Sequence, residues 1–99
     1  MALNISTTYY SIDRRNADAL NKLAARAHTL DPTVPVTPFP RQYTINRRTA
    51  TAVDQIAQAI ANADHQRPSV IFGGHYQRPN RVVTQLLIAF EARLTALGH

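Results

Sequence analysis

Y-S-I-D-R-R, residues 10–15, returns 33 positions later as Y-T-I-N-R-R, residues 43–48. Two such similar phrases in a chain of 99 residues make an internal repeat the first thing to test. The match runs on past the arginines: Y-S-I-D-R-R-N-A-D-A-L-N-K-L-A aligns with Y-T-I-N-R-R-T-A-T-A-V-D-Q-I-A, mostly with exchanges of similar size and polarity. Tyr76 stands a further 33 residues on, but Y-Q-R-P-N-R-V-V-T-Q-L-L-I-A-F keeps only the tyrosine, the second arginine and the apolar rhythm. The chain therefore reads as three degenerate 33-residue units within a single small domain spanning residues 1–99. Ankyrin repeats share this period, but nothing here matches their T-P-L-H phrase.

Each phrase opens a helical pattern. Leu20, Leu23, Ala24, Ala27 and Leu30 recur at three- and four-residue spacing, as do Val53, Ile56, Ala57 and Ile60. Asp13 and Asn46 occupy N-cap positions, Asn80 or Pro79 opens the third pattern, and Gly98 marks its stop. The spacing predicts helices over 12–30, 46–64 and 80–97.

Strand-like stretches precede two of these helices. Residues 3–7 alternate in polarity, and residues 69–72, S-V-I-F, form a short β-branched apolar run. The corresponding part of the middle unit, V-P-V-T-P-F-P at 34–40, carries three prolines and reads as an edge or extended segment. The expected fold is a helix-dominated α+β domain, with three helices and one or two short strands arranged as βα repeats. The alternative is an all-α three-helix bundle. The third helix is apolar round most of its circumference, which predicts burial on most sides. Val83, Leu87, Phe90 and Leu94 are its candidate residues for a homo-oligomer interface.

The net charge is +5, from ten arginines and Lys22 against five aspartates and Glu91. That balance favours anionic partners, and guanidinium forks grip phosphate and carboxylate at two points. The chain has no cysteine, which removes disulfides, thiol nucleophiles and cysteine zinc sites. The sequence shows neither a membrane-length apolar run nor the pattern of a signal peptide, so a cytoplasmic protein without membrane contact is expected.

The placement of the arginines is unusual. A helix N-terminus carries about half a positive charge and normally attracts Asp or Glu. Here Arg14 and Arg15, Arg47 and Arg48, and Arg81 stand at the three starts. Asp18 lies one turn from Arg14, but no carboxylate lies three or four residues after Arg47, Arg48 or Arg81. An external anion would relieve the excess charge, since free N–H groups and guanidinium forks together form a phosphate or carboxylate site. Tyr10, Tyr43 and Tyr76 add rings on which a base can stack. Between a strand-like run and the third helix, Gly73, Gly74, His75, Tyr76 and Arg78 complete the candidate set, with two glycines able to bring backbone close to an anion.

Little in the sequence points to turnover. His28, His65, His75 and His99 lack ligand spacing for a metal, and no acid, base and nucleophile cluster together. The reading is a non-enzymatic protein, with no cofactor, that holds nucleic acid or a nucleotide through Tyr and Arg at helix N-termini. The alternative is a small inhibitor or adaptor, of the phage anti-defence or immunity kind, whose arginines meet an acidic protein surface. All five helix-start arginines on one face would favour the first reading.

Overall fold

The computed structural model describes residues 14–38, 47–69 and 80–99, without the side chains of residues 47, 48, 80 and 81. It contains α1 (Arg14–His28), α2 (Arg47–Asp64) and α3 (Asn80–Ala96). The helix starts are 33 residues apart twice over, matching the register of the tyrosines. Asp13 and Asn46, the expected caps, lie outside the described residues, but α1 and α2 begin at the residue following each.

The helices form because their apolar positions share faces. Along α1, Asn16, Ala17, Leu20, Leu23, Ala24 and Ala27 are buried, a stripe at three- and four-residue spacing. These side chains meet Ala50, Val53, Ile56, Ala57 and Ile60 of α2 and Val83, Leu87, Phe90 and Leu94 of α3 in one core. Val34, from the segment after α1, closes it. Phe90, Leu20, Ile56, Ile60 and Leu94 are its largest fully enclosed side chains.

Two expectations are corrected by this packing. The described residues form a helical bundle with no strand, so the α+β expectation gives way to the three-helix alternative. Residues 3–7 and 70–72 lie outside the described residues, Ser69 is not in a strand, and residues 34–38 are irregular, with bends at 34, 36 and 38. The physical reason is that, among the described residues, the helical stripes and Val34 bury one another in one core. The second correction concerns α3. Val83, Leu87, Phe90 and Leu94 are at most 7% exposed within the single chain, so these four residues are spent on its own core. Ile88, on another face of α3, is 64% exposed.

Helix ends are set by local chemistry. After α3, Gly98 adopts φ 79°, and the amides of Gly98 and His99 donate to the carbonyls of Thr95 and Leu94 at 3.0 and 2.9 Å. This is a Schellman stop, and glycine accommodates the left-handed conformation it needs. Asp31 and Asp64, 33 residues apart, make the same turn after α1 and at the end of α2. Oδ1 of Asp31 accepts the Thr33 amide at 3.0 Å, and Oδ1 of Asp64 accepts the Gln66 amide at 3.0 Å. Each aspartate is followed four residues later by a proline, Pro35 or Pro68.

Candidate functional site

Helix polarity determines where the arginine pairs lie. Near the start of α1, Asn16 Nδ2 donates to Thr84 Oγ1 near the start of α3, at 3.0 Å. At the other end, Arg26 Nη2 donates to Thr95 Oγ1 at 3.2 Å, and Thr29 Oγ1 lies 2.8 Å from His99 Nδ1. The two helices are therefore parallel. The last residue of α2, Asp64, is paired with Arg93 in the last turn of α3. A shallow pocket lined by Leu30 and Asp31 together with Ala59, Asn62 and Ala63 places the exit of α1 beside the end of α2. The C-terminal ends of all three helices thus gather at one end of the bundle. With all three helices contributing to one core, their starts lie toward the other.

Short connections favour antiparallel neighbours, so parallel packing requires chain long enough to return along the bundle. Residues 29–46 and 65–79 supply it: even the shorter stretch reaches about 50 Å when extended, against about 27 Å for the longest helix.

The common polarity brings the three helix starts, and with them the sequence positions of Arg14, Arg15, Arg47, Arg48 and Arg81, toward one end. Arg14 and Arg15 are exposed, and none of the three first turns contains an acidic residue. At the C-terminal end, α1 and α3 follow the usual pattern, with Arg26, His28 and Arg93 in their last turns, whereas α2 ends on Asp64. Tyr10, Tyr43, Gly73, Gly74, His75, Tyr76 and Arg78 lie outside the described residues. Each of the three tyrosines precedes a helix start by four residues, a separation of at most about 14 Å of chain.

An ion pair lies at the opposite end of the bundle. Arg93 grips Asp64 through two parallel bonds, Nε to Oδ2 at 2.6 Å and Nη2 to Oδ1 at 2.7 Å. Its Nη1 also donates to the Arg67 carbonyl and to Ser69 Oγ. The Arg93 hydrogen bonds hold the Asp64 carboxyl below the usual carboxylate range and push the guanidinium pKa up. Asp31 is likewise lowered, chiefly by the hydroxyl of Thr33 and then by its amide. Among the described residues, no group of three or more His, Cys, Asp or Glu is placed to hold a metal ion, and no helix is long and apolar enough to cross a membrane.

Sequence reasoning located the arginines but missed the polarity that brings the three starts together. It also missed the Asp64 and Arg93 clamp, because 29 residues separate the partners. The available signal was the repeat itself, since units of one helix and one long connection return each helix in the same direction. The described residues define a bundle of three parallel helices whose starts, with the sequence positions of five arginines, lie toward one end. No protein-family model matches the chain, and neither the curated proteins nor the solved structures yielded a match.

Proposed function

We propose that this chain is a non-enzymatic binding protein that holds a phosphate-bearing ligand, nucleic acid or a nucleotide, at the end of the bundle where the helices begin. The observation carrying the reading is the shared polarity of α1, α2 and α3, which directs three acid-free helix starts, with their five arginine positions, toward one end. Three N-terminal dipoles and several guanidinium groups would act together on one anion or on successive phosphates of a strand. The tyrosines four residues before each start are close enough along the chain to contribute stacking, which tolerates any base.

An anisotropy titration of labelled single-stranded and duplex DNA and RNA, and of a labelled nucleotide, tests this reading. Nucleic-acid binding through several phosphates should weaken by orders of magnitude between about 50 and 200 mM salt. A nucleotide ligand would bind with a shallower salt dependence. Absence of binding by every probe at low salt would sink the proposal and favour an acidic protein surface as the partner of the arginines.

A further inference from the structure

A groove of about 330 Å³ runs between α1 and α3 on the flank of the bundle, and of the core residues expected to join subunits Leu87 alone lines it. Ala19 and Leu23 on one wall and Thr84, Leu87 and Ile88 on the other give it a largely apolar lining, with Lys22 and Glu91 among its charged residues. For scale, an apolar cavity of about 150 Å³ accepts benzene. Ile88 stands beside this hollow with 64% of its surface exposed. Among the described residues, Lys22 and Glu91 make no ion pair.

The register of the two walls shows what fits. Parallel α1 and α3 are linked at offsets of 68 and 69 residues by the Asn16 to Thr84 and Arg26 to Thr95 hydrogen bonds. Lys22 and Glu91 are also 69 residues apart, as are Ala19 and Ile88. Each pair is therefore level across the groove: a cation faces an anion, and a small side chain faces a large one. A two-fold axis running along the groove, parallel to the helices, exchanges the walls. It lays each Glu91 over the Lys22 position of a second copy and each Ile88 over the Ala19 position, filling both hollows. The surface is self-complementary in charge and in shape, as an isologous contact requires.

We propose that this groove is a homodimer interface, in which two copies pack with their helices parallel, Ile88 entering the partner groove beside Ala19 and Lys22 pairing with Glu91 across the two-fold. The assignment does not depend on the anion site. Its consequence is that the basic ends of both copies face the same way, doubling the arginines on one side of the dimer.

Sedimentation velocity of the full chain between about 1 and 100 μM tests the dimer by mass action. The expected mass at the upper concentration is twice the 11.0 kDa of one chain. Lys22→Glu alone and Glu91→Lys alone should each weaken association about tenfold or more, because each creates two like-charge contacts per dimer. An equimolar mixture of the two variants should recover it, since both charge contacts across the two-fold of the mixed dimer are again of opposite sign. Ile88→Asn should also weaken association, and because Ile88 is exposed, its helical circular dichroism should match the parent's. A parent of single-chain mass at 100 μM overturns the proposal. So does a dimer that ignores the charge reversals, or variants that fail to associate when mixed.

Discussion

Arg93 and Asp64 join the last turn of α3 to the last residue of α2 through two short parallel hydrogen bonds, at 2.6 and 2.7 Å. The side chains are 20% and 15% exposed, so solvent screens the pair only in part. With its remaining Nη1, the same guanidinium reaches the Arg67 carbonyl and Ser69 Oγ, tying down the chain as it leaves α2. One planar fork therefore fixes how two helices meet and where the following segment departs.

Arg93→Lys should lower Tm by several degrees, at about 4 to 8 °C per kcal/mol for a domain of this size. A lysine supplies charge but cannot present the fork that satisfies both carboxylate oxygens and the Arg67 carbonyl together. A thermal melt followed by circular dichroism checks it. Retention of the parent Tm would mean that charge alone suffices.

The same pair predicts a pH dependence. Asp64 has a folded pKa lowered below 3.8, so the unfolded chain takes up its proton first as pH falls. Stability from this group is fully present above that unfolded value and is lost as pH falls through the lowered folded value. Asp31, lowered by Thr33, acts in the same direction. Urea midpoints measured between about pH 5 and pH 2 should fall less steeply for Asp64→Asn than for the parent. Equal slopes would show that Asp64 contributes nothing to acid sensitivity.

Phe90 is fully enclosed and is the largest such side chain in the core. Phe90→Ala should cost about 3 to 5 kcal/mol, a large share of what a small domain has. On the same helix, Ile88→Ala should fall within about 0.5 kcal/mol when measured on the monomer at low concentration. Chemical denaturation of the two variants side by side separates the inward stripe of α3 from its outward face.

Asn16, 7% exposed, donates its side-chain amide to Thr84 and joins the starts of α1 and α3. Asn16→Ala should destabilise the chain by about 1 kcal/mol through loss of this bond. A double-mutant cycle with Thr84→Val reads the coupling directly. Independent effects of the two substitutions would show that the bond contributes nothing net.

Arg14→Glu combined with Arg47→Glu and Arg48→Glu should reduce affinity for the anionic probe while leaving stability unchanged or raising it, because each carboxylate at a helix start gains about 0.3 to 1 kcal/mol from the dipole at low salt. Binding and melting measured on one preparation distinguish a ligand-binding role from a structural one. Unchanged binding would remove these arginines from the site, and a large loss of Tm would make them structural.

The three helices were legible from local periodicity: Leu20, Leu23 and Ala27, or Val53, Ile56 and Ile60, mark a buried face whatever the partner. Gly98 marked a stop for a similarly local reason, since the left-handed conformation at a helix end favours glycine. The direction in which α3 packs was beyond such reasoning. Its apolar residues surround most of the helix, and the sequence could not say that Val83, Leu87, Phe90 and Leu94 would be taken by α1 and α2 while Ile88 stayed outside. Helix polarity likewise depends on contacts 68 to 70 residues apart, such as Asn16 with Thr84 and Thr29 with His99. The sequence by itself determined which residues form helices and which residues stand at each start, because these follow from neighbours one turn away. Only the tertiary structure decided that the starts share one end and that Lys22 and Glu91 lie level across a groove, because packing long-range partners into one core sets both.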